Sequence, residues 1–230
     1  MSGPGLDERD VARMYSVFSS PVVAFDCGER CAASNGGKPF CCDDSHAIPV
    51  LYKPEVVHLK RRTEMWRAFR PKDDEERQLA ADLPEEQRFA RCKGHTLCER
   101  ENRSFSCRTF PFYPYFGPDG GFFGLAYYWE YVGHCWILEK HDLVLPEFVR
   151  GFVQAWEIVF ERLPVERDFF RDFSARARGT HTRLGRTLVA IDRAGKAWLR
   201  RPGTDALEPA PPGPDARSRA EEAPPAFPPG

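Results

Sequence analysis

The chain has 230 residues, with 33 basic against 34 acidic side chains and a formal charge of −1. That balance argues against a general polyanion binder, since nucleic-acid modules carry a basic excess. Hydrophobic residues make up 42%, enough to bury a core, and no apolar run approaches the roughly 18 residues that span a bilayer.

Taken in order, residues 1–10 (MSGPGLDERD) are polar and acidic and show no secretory signal. Residues 7–19 read as a short helix leading into an apolar run of strand length at 21–25. Residues 26–48 are rich in Cys, Gly, Asp and Ser and read as loop. Residues 59–70 and 73–83 look helical, the second charged and solvated, with a break at Pro71. A short strand is expected at 88–92. The stretch from 92 to 121 reads as loop, with Pro111, Pro114 and Pro118, and the aromatic stretch 122–132 reads as a strand.

The clearest helix is 146–163. Pro146 suits a first helical position and Glu147 the positive end of the helix dipole. Val149, Phe152, Val153, Trp156, Val159, Phe160 and Leu163 recur at three- and four-residue steps, giving one apolar stripe for core packing. Pro164 stops it. Phe169, Phe170 and Phe173 predict a second helix docking nearby. Residues 187–192 and 196–200 read as two strands joined through Arg193, Ala194 and Gly195, with Gly at the left-handed position of a hairpin.

Nine of the 21 prolines fall in residues 202–230, where Leu207 and Phe227 are the large apolar side chains. Such a stretch buries too little surface to offset the entropy of ordering, so a disordered Pro-rich tail is expected. The organisation read from the sequence is one α+β, loop-rich domain over 1–201. Its cysteine-bearing core lies at 20–140, and a part with helices and a β-hairpin at 141–201. No internal repeat points to a solenoid.

All eight cysteines lie between 27 and 135, in two sets. Cys27, Cys31, Cys41 and Cys42 form the first, and Cys92, Cys98, Cys107 and Cys135 the second. Disulfides are one reading, but they suit secreted chains and are rare in the cytosol. Buried apolar cysteines are another, yet these sit beside Gly, Asp, Glu, Lys and Ser. Metal ligation is the reading preferred here, because a thiolate wants positive charge and loops can wrap an ion. Four cysteines suffice for a tetrahedral zinc or an iron–sulfur cluster, so eight allow two sites or one site with spare ligands. The spacing is neither a zinc ribbon nor a bacterial ferredoxin run. Adjacent side chains diverge, so Cys41 and Cys42 chelating one ion together is awkward.

His46, His95 and His134 lie within four residues of a cysteine and are further ligand candidates, each weighed against an ordinary surface role. His58, His141 and His181 have no cysteine nearby. Asp43 and Asp44 follow the vicinal pair and read as solubilising the loop rather than ligating. Arg103 and Arg108 are read as cofactor-binding cations that stabilise a thiolate cluster, against salt bridges to Glu99 or Glu101. Tyr127, Tyr128, Trp129 and Tyr131 either line a pocket or pack in a core.

Cys27, Cys31, Cys41 and Cys42, followed by Cys92, Cys98 and the run Cys107, Arg108, Phe110 and Pro111, form a pattern that resembles the YkgJ-type cysteine-cluster family. That family is described as a zinc- or iron-chelating domain. Arg103, four residues before Cys107, fits its habit of an arginine there. The resemblance covers about residues 20–135. The family's first cluster is usually tighter, whereas here the gaps are three and nine residues. Flagellin lysine N-methylases carry a similar cluster, so the resemblance admits a protein-modifying enzyme and a protein substrate.

No P-loop, dinucleotide fingerprint, H-E-x-x-H, nucleophile elbow or radical-SAM spacing is present, and no catalytic residue is named. The expectation is a cytoplasmic α+β protein with an iron–sulfur cluster or zinc held by the eight cysteines, in a redox or protein-modification role. No nucleic-acid or membrane partner is expected. The rival is a non-catalytic zinc-stapled module that binds a protein partner.

Overall fold

The computed structural model describes residues 5–43 and 45–211. Helix α1 (Glu8–Val17) forms where the sequence predicts it. The Asp7 carboxylate accepts the N–H groups of Arg9 and Asp10, and Asp10 in turn accepts the Asp7 N–H, closing a capping box. The strand expected at 21–25 does not form; residues 22–25 are bends. Among the described residues no strand pairs with them; the Val22 carbonyl accepts the Leu145 N–H instead, and Val23 is buried.

The cysteine-rich stretch contains a single turn of helix, α2 (Gly28–Ala32), and a 3-10 turn at Phe40–Cys42. Strand β1 (Val50–Tyr52) runs directly into α3 (Lys53–Lys60). The helix expected over 59–70 therefore lies upstream of that span. Pro54 occupies its first turn, where a missing N–H costs nothing. Further along the span Trp66–Ala68 enters a sheet as β2, tertiary pairing overriding local propensity. Helix α4 (Asp74–Ala81), capped by Asp73, and strand β3 (Gln87–Cys92) follow as predicted. Strands order as β1-β3-β2, antiparallel, with Trp66 opposite Cys92 at the sheet's end. This sheet has a small core of its own, made of Leu51, Leu59 and Ala90.

After α5 (Phe105–Thr109) come β4 (Phe112–Phe116) and β5 (Phe122–Tyr127). The sequence predicts loop over β4, yet its five residues are all buried. Pro114 disguises it. β4 is the outermost strand of its sheet, the place where a strand tolerates proline. Strand β5 ends sooner than expected, giving way to a 3-10 turn at Trp129–Tyr131.

Helices α6 (Pro146–Arg162) and α7 (Pro164–Arg183) come next, then β6 (Leu188–Asp192), β7 (Ala197–Arg200) and β8 (Glu208–Pro209). The second sheet runs β4-β5-β6-β7-β8, each pair antiparallel. The predicted stripe of α6 is buried along its whole length, as expected of core packing. α7 covers the β4 edge, with Ser174 Oγ accepting the Phe116 N–H and Arg178 donating to the Phe116 carbonyl. Covering an edge in this way removes a template for unwanted pairing. Gly195 takes a φ of +88° in the β6–β7 hairpin, as the turn requires.

Part of the expected tail is ordered. β8 pairs with β7, and Arg200 and Arg201 form ion pairs with Asp205 and Glu208; residues 212–230 lie outside the described residues. Among the described residues there are seven α-helices and two antiparallel sheets, an α+β arrangement, and no helix is long and apolar enough to cross a membrane.

Candidate metal centre

Four separate segments deliver thiols to one cavity of about 240 Å³. The 3-10 turn brings Cys41 and Cys42, and the end of β3 brings Cys92. The loop after the 3-10 turn His95–Leu97 brings Cys98, and α5 brings Cys107. Arg103, Lys38, Lys93 and His95 line the same space. All eight cysteines are free.

Local hydrogen bonds fix each carrier. Ser104 caps α5 by accepting the Cys107 N–H, and Ser106 Oγ accepts the Val50 N–H, tying α5 to β1. The Cys92 thiol accepts the Gly94 N–H at 3.4 Å. Arg103 Nε donates to the Cys98 sulfur at 3.1 Å. Burial weighs against the Arg103 charge, but that bond and the nearby Cys98, Cys42 and Cys41 sulfurs raise its pKa above the ordinary arginine value. Arg103 is thus a cation held among sulfurs.

Arg108 faces elsewhere. Its guanidinium donates to the carbonyls of Phe18, Arg103 and Glu101 and lies 4.4 Å from the Tyr15 ring centre. It clamps backbone behind the cavity rather than lining it.

Behind α5 sits a residue the sequence reading passed over. Glu55 is fully buried and accepts the Phe105 N–H (2.6 Å), the Tyr15 hydroxyl (2.7 Å) and the Tyr52 N–H (3.1 Å). Tyr15 also lies 3.0 Å from the Arg103 carbonyl. Together Glu55, Tyr15 and Arg108 anchor the 103–108 segment to α1 and α3. Glu55 sits three residues into α3 beside Pro54, which looks like ordinary helix-start chemistry, so no sequence signal marked it.

The other three cysteines lie outside the cavity lining. The Cys31 thiol donates to the Gly28 carbonyl at 3.5 Å and accepts the Phe40 N–H at 3.4 Å. Cys27 and Cys135 pack against the main hydrophobic core. The Phe40 ring stacks between His46 (4.2 Å) and His134 (4.9 Å), joining the Cys41–Cys42 turn to the segment that carries Cys135. Of the three histidine candidates, His95 lines the cavity and the other two stack on Phe40. Asp43 turns back to Ser45, and Asp44 lies outside the described residues. Tyr127, Tyr128 and Tyr131 are half-buried against the main core, Tyr128 meeting Tyr113, Phe173 and Tyr131, while Arg186 lies over the Trp129 ring.

Burial pushes the Cys27 thiol up to about 11 and the Cys107 thiol up to about 12, and raises Cys31, Cys92 and Cys135 as well. The Cys41 and Cys42 sulfurs stand 3.9 Å apart. Their mutual hydrogen bond raises Cys41 and lowers Cys42, so Cys42 is the more readily ionised of the two. Among the described residues no three Cys, His, Asp or Glu side chains stand close enough to hold one ion. The donor chemistry nonetheless fits a soft metal: thiols converge on a cavity that already carries cations to balance thiolate charge.

Comparison with protein-family models, with curated proteins and with solved structures finds no match to this chain.

Proposed function

We propose that the chain is a metalloprotein whose cysteines hold an iron–sulfur cluster or zinc, with iron–sulfur placed first, in a redox or protein-modification role. The observation that carries this reading is the meeting of five thiols from four chain segments in one cavity, with a guanidinium donating to one of them. Buried apolar cysteines have no need of such company. Thiolates around a metal do, because cationic donors stabilise their net negative charge. Drawing the thiols from their present spacing to metal–sulfur bonds of about 2.3 Å makes metal binding part of folding. The resemblance to the YkgJ-type family supports the same donor set and extends the reading to a protein substrate. Eight free thiols suit a reducing compartment such as the cytoplasm.

One observation favours a second reading, the zinc-stapled module that docks a protein partner. The three-stranded sheet has a core of Leu51, Leu59 and Ala90, and a staple at its end would supply what that core lacks.

Anaerobic purification with metal and sulfide analysis decides between them. Brown protein containing iron and acid-labile sulfide supports the cluster. Colourless protein with stoichiometric zinc supports the staple. Metal-free protein whose eight thiols all react in the native state removes both.

A further inference from the structure

The three-stranded sheet leaves its own core open. A second cavity, of about 220 Å³, is lined by α3 and by all three strands of that sheet. Leu51, Leu59 and Ala90, the buried residues of the small core, form part of its wall together with Val56, Trp66 and Phe89. The Trp66 indole N–H is already spent, donating to the Asn102 carbonyl at 2.9 Å. The charged residues of the lining are Lys60, Arg67 and Arg88, all three exposed. Among the described residues no carboxylate lines this cavity, and Lys60 and Arg67 form no ion pair. Arg88 donates to the backbone carbonyls of Glu85 and Gln87. Three cations thus gather around an apolar hollow, in a chain whose formal charge is −1.

We infer that this cavity is the docking site for a partner protein, which presents an acidic segment carrying one large apolar side chain. The side chain fills the cavity, and carboxylates on either side of it meet Lys60, Arg67 and Arg88. This deepens the proposal that the chain modifies or binds a protein and rests on it, but not on which metal the thiols hold.

Volume selects the anchor. An apolar cavity of about 150 Å³ takes up benzene, whereas sites for whole drug-sized ligands run to about 300–1,000 Å³. A space of about 220 Å³ suits one aromatic or branched aliphatic side chain. The cations are exposed around it, so charge is read outside the cavity, along a ligand longer than its anchor. A nucleotide base would bring polar edges against Leu51, Val56, Leu59 and Ala90 and leave them unpaired; phenylalanine or leucine brings no polar atom. Trp66 also lines the thiol cavity. A segment anchored here therefore continues toward the thiols, where Lys38, Lys93 and Arg103 extend the positive surface.

The test is fluorescence anisotropy of labelled acidic peptides with the full chain, metal content being measured on the same sample. The peptides share one glutamate-rich sequence with phenylalanine, leucine or alanine at the centre. The first two are expected to bind, and alanine should weaken binding about thirtyfold, as loss of a buried anchor does. Lys60→Glu and Arg67→Glu change exposed side chains and should each weaken it roughly two- to fivefold. Ala68 lines the cavity from an exposed position, so Ala68→Trp should fill the space and abolish binding. Equal binding of the alanine peptide, or binding that Arg67→Glu and Ala68→Trp leave unchanged, overturns the docking site; if that sample carries metal, the metal reading stands. The expected pattern in a sample without metal supports the docking site and removes the metal reading. Preference for a single-stranded oligonucleotide over the peptides overturns the partner class. Tighter peptide binding by Phe227→Ala also overturns it, by giving the cavity to the chain's own segment around Glu221, Glu222 and Phe227.

Discussion

The five-stranded sheet packs on α6, whose buried face carries Phe152, Trp156 and Phe160, while the three-stranded sheet rests on Leu51, Leu59 and Ala90. Fully burying a large apolar side chain contributes about 1.5–3 kcal/mol. Fixing one residue's backbone costs about 1–2 kcal/mol. In the first region β4 is buried throughout among aromatic side chains, and helix α7 closes the β4 edge. In the second, two leucines and an alanine face the ordering of three strands and two long loops. That region is held instead by polar anchors such as Glu55 and, in our reading, by metal–thiolate bonds. On that reading, order in one half is solvent-driven and in the other it depends on a bound metal.

Removing metal from the loaded protein should separate the halves most sharply. Structural thiolate sites contribute on the order of 10 kcal/mol of coupled binding and folding. Chelation is expected to abolish hydrogen-exchange protection in β3, α5 and the Phe40–Cys42 turn, while β5 and β6 stay protected. Equal loss in both sheets would break the comparison.

Phe152→Ala acts from the other side. The ring is fully buried in the main core, and truncation of such a ring costs roughly 3–5 kcal/mol. Urea unfolding followed through the main core's tryptophans should show the same cost with and without metal. A cost present only in the loaded protein would mean that the two regions do not fold independently.

Legibility in the sequence followed the same division. The stripe on α6 announced itself because its period, its Pro146 start and its burial all agree. The β6–β7 hairpin was readable from Gly195. β4 was hidden because Pro114 marks a breaker in sequence, and its place as an edge strand is a tertiary fact. Residues 66–68 looked helical because β2 owes its existence to pairing with β3. The cysteines were visible as a constellation, but which five reach one cavity depends on how the 3-10 turn, β3 and α5 are brought together. Arg103 stood out in sequence through the resemblance, which expects an arginine before Cys107. Arg108 looked equivalent, and its clamp on three carbonyls required the fold. Glu55 lay beyond reach because burial of a lone carboxylate is decided by residues 40 and 50 positions away in the chain, Tyr15 and Phe105.

Glu55 gives the smallest and most selective probe. Burial raises its carboxyl pKa above the ordinary 4.5, against the opposing pull of the Phe105 N–H, the Tyr15 hydroxyl, the Tyr52 N–H and the Arg108 charge. A carboxyl raised in the folded state binds its proton more tightly there than in the unfolded chain. Its contribution is therefore complete below pH 4.5 and is lost as pH rises through the higher folded value. In Glu55→Gln the amide oxygen still accepts from Phe105 and Tyr15, but the NH₂ group meets the Tyr52 N–H donor to donor. Leaving that buried N–H unpaired costs about 1–3 kcal/mol. The variant also loses the titration, so the stability gap to wild type is widest in acid and narrows as pH rises through that window. Urea midpoints at a series of pH values measure the gap. If it widens with rising pH, the buried carboxylate is better satisfied by its three donors than burial penalises it, and the polar anchor of the second region is stronger than its desolvation implies.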